Sequence, residues 1–415
     1  MQTHRNHRTI DKPGAVILSL FFVCVIYFNF FLTLMNYEFL VNFSENRRLA
    51  QSSHILDNII SKNIKGTCEK FERYLNDHFA LRKPLVMMSN STRYYVFNSS
   101  TDRVALPARD GWIFYGTVSM IRDHERKDRL SAEHLNQIKR SLIQKEAWLS
   151  SFGITFLNVI VPNKHNIYPQ FMPEAVHRGD GPSRGEYLVH QLNEDLPKST
   201  VDAFHILREF ANHEQVYYKI DTHWNHLGAS IVTAHIIEIL STSNSRFRTL
   251  RLPAMKHETV IFSPGNFGRV MGVPLQEEEV IPLPRTGWGW HVAPADHIKA
   301  FLPPRARVLK RVNPNAFPAT VLVLGDSYMA RFGDYLSEAF RDTILVNLWD
   351  TPLAAASRFP ISLIEHVQPD LVIQMFAERR IGFHGQRNQG YYYCVENPPG
   401  MGLTSAEVSR ADSFH

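Results

Sequence analysis

Cysteine is scarce in this chain. Three thiols in 415 residues are too few for a disulfide framework or a Cys-rich metal module. Runs of one charge are missing too: 45 basic against 40 acidic side chains leave a formal net charge of +5, without the Lys/Arg clusters of a nucleic-acid surface. No nucleic-acid partner is expected. Glycine (21) and proline (23) sit at ordinary usage, which excludes low-complexity and collagen-like chains. No fixed period recurs, so solenoids and propellers are not expected. What the chain does have is 44% hydrophobic residues, enough for a large core, and a length that accommodates two or three domains or one large domain with insertions.

The stretch GAVILSLFFVCVIYFNFFLTLM, from Gly14 to Met35, has no charged residue, and only Ser19, Asn29 and Thr33 are clearly polar. As a helix it would span roughly 33 Å, enough to cross a hydrocarbon core. It is longer than the apolar region of a signal peptide, and no A-x-A-like cleavage site follows. Arg5, Arg8 and Lys12 precede it, opposed only by Asp11. That asymmetry places the N-terminus in the cytoplasm. The expected layout is therefore a cytoplasmic tail (1–13), one transmembrane anchor (14–35) and a remainder beyond the membrane. In a bacterium this is a single-pass inner-membrane protein with its bulk in the oxidising periplasm. Cys24 falls inside the span, leaving Cys68 and Cys394 as a possible pair. A bridge and two free thiols both remain open.

Beyond the span, residues 36–105 read as a polar helical region, with Phe71, Leu75, His78 and Phe79 near one face. From 106 to 381 strands and helices alternate. Ile113–Tyr115, Ile154–Val161, Val216–Ile220, Thr320–Leu324, Thr343–Leu348 and Leu371–Met375 are the predicted strands. Ser131 caps a helix ending near Gly153, and further helices are predicted over Leu227–Leu240 and Tyr328–Phe340. Residues 241–318, rich in Pro, Gly and charge, read as an insertion or long loops with short strands, and 382–415 as a C-terminal tail. The alternation predicts an α/β fold, a mostly parallel sheet covered on both faces.

The chemistry concentrates in two segments. Val321-Leu-Val-Leu-Gly-Asp-Ser327 is a buried strand ending where a helix begins, so Ser327 sits at the carboxyl end of a sheet strand, where open α/β sheets place ligands. Main-chain N–H groups at such a junction can stabilise an oxyanion. A plain helix cap is the competing role for Asp326 or Ser327. A nucleophilic serine needs a base, and the base needs an orienting carboxylate. Asp221-Thr-His223 supplies both: in extended chain, residues i and i+2 point to the same side. Asp221, His223 and His226 could instead be a three-ligand metal set, but no H-E-x-x-H pattern and no further ligand cluster accompany them, and no metal is expected.

Gly325-Asp326-Ser327 resembles the nucleophile block of the SGNH hydrolase superfamily. Tyr218-Lys-Ile-Asp-Thr-His-Trp-Asn-His-Leu-Gly-Ala229 resembles the Asp-x-His-Trp block of the alginate O-acetyltransferase AlgJ/AlgX family. Arg109-Asp-Gly-Trp-Ile-Phe114, Val161-Pro-Asn-Lys-His-Asn-Ile-Tyr-Pro169, Asn76-Asp-His-Phe-Ala-Leu-Arg82 and Glu378-Arg379 are similar to further blocks of that family, in the same order. The resemblance implies an SGNH hydrolase-like, flavodoxin-like α/β/α sandwich over 106–381. It implies acetyl transfer to hydroxyls of an exported polysaccharide such as alginate or cellulose, with Ser327 as nucleophile, His223 as base and Asp221 as orienter. It also implies a membrane-bound O-acyltransferase as acetyl donor, with no cofactor in the chain itself. Too few residues follow Arg380 for the carbohydrate-binding module of AlgX-type members, so the anchored AlgJ type is the expected relative.

The Gly and Asn blocks that complete the usual SGNH oxyanion hole are not found; Asn347 is a substitute or simply a strand-end polar residue. Ile220 and Asn225 stand where Thr is expected beside the family's motif. Trp224, Tyr328, Arg331, Trp349 and Arg379 are candidate sugar or carboxylate contacts by position, with core Trp and surface Arg as the competing roles. A polysaccharide acetyl esterase using the same three residues, or a non-catalytic scaffold of an export complex, are the alternative functions.

Overall fold

The structure is a computed structural model that describes residues 12–35, 49–51, 64–302, 306–347 and 359–381. Trp349, Cys394 and the expected tail 382–415 lie outside the described residues. The chain divides into two compact units. One comprises Met1–Asp102 with Gly268–Pro274, the other Arg103–Phe267 with Leu275–His415.

In the first unit the apolar run forms the helix Lys12–Leu34. Its stretch Pro13–Thr33, of mean hydropathy 2.5, is long and apolar enough to cross a membrane and is buried nowhere against protein. A helix of this kind serves as an anchor or a signal sequence. Its hydroxyls are satisfied within it: Ser19 Oγ donates to the Ala15 carbonyl and Thr33 Oγ1 to the Asn29 carbonyl. Two further helices, Ile64–His78 and Arg82–Phe97, form a hairpin, and neither has a buried residue. The tight turn between them is tied to the apolar helix. The Leu81 N–H donates to Asn29 Oδ1 and the Ala80 N–H to Thr33 Oγ1, both at 3.1 Å.

The second unit opens with a short antiparallel pair, β1 (Ala105–Pro107) and β2 (Ile113–Tyr115). It is built on a seven-stranded sheet. Its parallel part comprises β3 (Thr155–Val161), β4 (Thr200–Val201), β9 (Phe317–Gly325), β10 (Phe340–Asn347) and β11 (Leu371–Ala377). β7 (His291–Ala293) and β8 (Arg307–Val312) complete it in the order β4-β3-β11-β9-β10-β8-β7. β8 and β7 run antiparallel at one edge.

Period-two alternation divides the buried strands between two cores. Val321 and Val323 of β9, with Leu371 and Ile373 of β11, pack with residues of the helices Ala203–Ala211, His226–Ser243 and Met329–Ala339. Leu322, Leu324, Val372 and Phe376 face the opposite core, which includes residues of Ala132–Ser151, Arg184–Asp195 and Ile361–Val367. Both faces are covered, so these strands are apolar throughout. The architecture is the expected α/β/α sandwich.

Two local expectations differ. Val216–Ile220 is not a strand: only Tyr217 pairs, with Trp224, in an isolated antiparallel bridge. Its apolar side chains are used in packing, and the chain doubles back on itself instead of joining the sheet. The parallel edge strand is β4, whose two residues are too few to show a period. The stretch expected as an insertion or long loops with short strands holds a hairpin of two eight-residue strands, β5 (Met255–Phe262) with β6 (Glu277–Pro284), and then β7 and β8, which join the main sheet. β8, next to the three-residue edge strand β7, reads RVLKRV, in which charge masks the alternation.

Candidate active site

β3, β9, β10 and β11 run parallel, so their carboxyl ends share one edge of the sheet. Gly325, the last residue of β9, is level with Met375 of β11 and Asn347 of β10. A Cβ there would stand 2.7 Å from the Met375 carbonyl oxygen, so only glycine fits the close approach. Asp326 is fully buried and fixes the turn that follows. Its Oδ1 accepts from the Tyr328 N–H at 3.1 Å and its Oδ2 from the Ala377 N–H at 3.0 Å, linking the serine turn to the end of β11. Ser327, one residue on, is exposed.

The second segment folds back over Ser327. The bridge between Tyr217 and Trp224 closes a tight loop with Asp221, Thr222 and His223 at its tip. The Asn225 side chain then caps the helix His226–Ser243, accepting from the Gly228 N–H. His223 Nε2 lies 2.7 Å from Ser327 Oγ, and His223 Nδ1 lies 2.6 Å from Asp221 Oδ1. An ionised carboxylate only accepts, so Nδ1 holds the imidazole proton and Nε2 is left to accept from the serine hydroxyl. Asp221 also receives the His223 N–H on Oδ1 and the Asn266 N–H, at 2.7 Å, on Oδ2. Burial alone would raise its pKa, but these bonds and the adjacent imidazole hold it below the usual carboxylate range. The carboxylate is buried, the imidazole half-buried and the hydroxyl exposed. A bound acyl group therefore meets the serine first.

The loop is held from below by Lys164, which in the sequence stands inside the family-like block Val161–Pro169 with no role assigned to it. Its Nζ donates to the carbonyls of Tyr218 (3.0 Å), Lys219 (3.0 Å) and Asp221 (2.7 Å). Three acceptors match the three hydrogens of an ammonium. The rings of Trp112, Phe114 and Phe267 surround that nitrogen, at 5.6, 5.2 and 5.0 Å from their centroids. Burial draws the Lys164 pKa down to about 7, against Asp221 and Glu277, which favour the charge. Much of the Val161–Pro169 segment serves the same edge. Asn163 N–H and Asn166 Nδ2 donate to Glu378, and His165 Nε2 lies 3.0 Å from Asp123 Oδ2.

The remaining candidates separate. Trp224 is fully buried, its Nε1 donating to the Tyr328 carbonyl at 3.1 Å, so no polysaccharide reaches its ring. Tyr328 is also buried. Its hydroxyl donates to the Thr222 carbonyl and accepts from Arg379 Nη1, which ties the loop tip to the turn that follows β11. Both are corrected from sugar contacts to packing residues under the Asp-x-His loop. Arg379 lies over the rings of Tyr115 and Tyr328. Arg331 engages Tyr218, with Glu279 and Asp334 nearby. Asn347 ends β10 beside Gly325. His226 is buried at its helix start, its Nδ1 3.2 Å from the Tyr335 hydroxyl, and burial and Arg331 lower its pKa to about 3. It does not join Asp221 and His223 in a ligand set. Among the described residues, no His, Cys, Asp and Glu groups gather to hold a metal.

Residues 105–357 match the family described as SGNH hydrolase-like domain, acetyltransferase AlgX. The chain belongs to this family. Its acetyltransferase domain is similar in structure to three solved proteins. Bacillus cereus PatB1 is 14% identical, covering 66% of this chain and 95% of its own, with a TM-score of 0.48. The O-acetyltransferase domain of Pseudomonas putida AlgJ is 16% identical, covering 75% and 99%, with a TM-score of 0.41. Pseudomonas aeruginosa AlgX is 15% identical, covering 72% and 68%, with a TM-score of 0.38. No curated protein matches the chain.

Proposed function

We propose that this acetyltransferase moves an acetyl group through Ser327 onto a hydroxyl of an exported polysaccharide. The observation behind the reading is the hydrogen-bonded series from Asp221 through His223 to an exposed Ser327 Oγ. In the first half-reaction Oγ attacks the acetyl carbonyl carbon of the donor while His223 Nε2 takes the hydroxyl proton. Asp221 holds the imidazole orientation and stabilises the imidazolium. The tetrahedral intermediate collapses, the donor's oxygen or sulfur leaves with the proton from Nε2, and acetyl-Ser327 remains. In the second half-reaction a sugar hydroxyl gives its proton to Nε2 and attacks the ester. Ser327 Oγ leaves and recovers that proton. Among the described residues no hydrogen bond occupies the Ser327 N–H, which is the nearest main-chain donor for the developing oxyanion. Asn347 is a second candidate donor by its place beside Gly325.

The apolar helix is taken as an uncleaved anchor, with the acetyltransferase domain on the periplasmic side of a bacterial inner membrane. Acetyl-CoA is a cytoplasmic thioester, so a membrane-bound O-acyltransferase is the proposed donor protein. The test is incubation of the full chain with an acetyl ester donor and defined oligosaccharides. Acetylated sugar that disappears in Ser327→Ala supports the transferase. Free acetate alone at high acceptor concentration supports an esterase. Neither product, with Ser327→Ala matching the parent chain in cells, supports a scaffold.

A further inference from the structure

Among the described residues, the hairpin Ile64–Phe97 meets the end of the apolar helix and the segment Gly268–Pro274, where Asn90 Nδ2 donates to the Met271 carbonyl, yet it leaves apolar stripes exposed. In its first helix Ile64, Cys68, Phe71 and Leu75 recur at helical spacing, so they form one stripe. Ile64 is 79% and Phe71 51% exposed. In the second helix Leu85, Met88 and Tyr95 recur at a similar spacing and are exposed as well. Amphipathic helices in water bury such stripes; these two leave them open.

The turn of the hairpin is tied to the apolar helix. Asn29 and Thr33 of the apolar helix accept the Leu81 and Ala80 N–H groups. One helical turn, about 5–6 Å, separates these two acceptors along the helix axis. Both lie in the last turns of the stretch long enough to cross a membrane. With that stretch set across a bilayer, the hairpin tip would stand at the depth where hydrocarbon gives way to headgroups. Its charge suits that place. Lys65, Lys70, Arg73, Arg82, Lys83 and Arg93 outnumber Glu69, Glu72 and Asp77 over the two helices, as anionic headgroups favour.

We infer that the hairpin Ile64–Phe97 is a membrane-surface element, its apolar stripes seated in the anionic outer-facing leaflet beside the span. This rests on the reading of the apolar helix as an uncleaved anchor. It concerns lipid only and is independent of the chemistry at Ser327.

Cys68 lies on the stripe and provides the probe. The full chain, with Cys24 and Cys394 replaced by serine, is spin-labelled at Cys68 and reconstituted in vesicles of phosphatidylethanolamine and phosphatidylglycerol. A second sample has Cys68→Ser and the label at Arg73→Cys, on the opposite, exposed face of the helix. The expected result is several-fold lower accessibility to a water-soluble nickel chelate at position 68 than at 73, with the reverse order for oxygen. Phe71→Asp should raise nickel access at 68. Equal nickel access at 68 and 73 would overturn the inference by placing the stripe in water, and low access of both nickel and oxygen at 68 would overturn it by showing that protein, not lipid, covers the stripe. A label at native Cys24, with Cys68 and Cys394 replaced, separates the two failures. If position 24 is oxygen-rich while 68 is open to nickel, the anchor holds and the surface reading fails. If position 24 is itself open to nickel, or has been cleaved away, the anchor reading fails and takes the inference with it.

Discussion

The α/β unit and the N-terminal hairpin treat their apolar residues in opposite ways. The first closes two cores around its sheet, with Leu322, Val323, Leu371 and Ile373 wholly out of water. The second has helices of ordinary length and clear amphipathicity yet buries no residue. Propensity and patterning alone thus do not make a self-sufficient fold; an apolar face needs a partner. The α/β unit contains its partner, a second layer on each side of the sheet. Among the described residues, the hairpin meets the end of an apolar helix through two side-chain acceptors and the short segment Gly268–Pro274 through Asn90, and these leave its apolar stripes exposed. The proposed chemistry falls in the self-contained unit, where Asp221, His223 and Ser327 are hydrogen-bonded in series at 2.6 and 2.7 Å over buried supporting groups.

Changes in the two regions should therefore differ in kind. The largest effect is expected at the site itself: Ser327→Ala or Asp221→Asn should lower acetyl transfer by about 10⁴-fold while leaving the thermal unfolding profile near that of the parent. Comparable transfer by either variant would place the chemistry elsewhere. In the core, Leu322→Ala should cost about 2–5 kcal/mol in the unfolding of the α/β unit, measured by denaturant titration. Lys164→Met tests the support under the loop. It leaves buried carbonyls of the Asp-x-His loop without their donor, at about 1–3 kcal/mol. It should lower kcat more than it raises KM, because Asp221 loses its fixed position.

Acid should act through the carboxylates. Asp123, buried between His165 and Arg184, has its pKa held well below the usual carboxylate range by those two partners, against a burial effect that would raise it. Its folded-state value is depressed, so its contribution is complete above the unfolded carboxylate value of about 4 and is lost as pH falls through the folded one. Stability followed from pH 6 downward should fall more steeply below about pH 4 in the parent chain than in Asp123→Asn. The smallest effect is expected in the hairpin. Phe71→Ala should shift the unfolding free energy of the α/β unit by no more than about 0.5 kcal/mol. A core-sized loss there would erase the contrast between the two regions.

Much of the architecture was readable because it rests on local pattern. The run Ile154–Val161, the strand before Gly325 and the helix capped by Ser131 all appear close to where period and capping place them. Asp221 and His223 were visible as an i, i+2 pair, and Ser327 as a residue at a strand-to-helix junction. What escaped depends on tertiary contact. Val216–Ile220 has strand composition but spends its side chains on packing, and β4 is too short for any period. Lys164 stands in a family-like block, but its role under the loop depends on three carbonyls and three rings that only the tertiary fold brings around it. Trp224 and Tyr328 stand next to reactive residues in sequence, and nothing in that adjacency reveals that their rings point inward.

The central claim is that Ser327 becomes acetylated during turnover. Rapid acid quenching of the full chain with an acetyl ester donor, followed by peptide mass analysis, tests it directly. One acetyl group on the peptide containing Ser327, lost on adding an acceptor oligosaccharide and absent in Ser327→Ala, is the predicted result. Sustained transfer to the acceptor with no acetyl group at Ser327, or with the label on another residue, would contradict it.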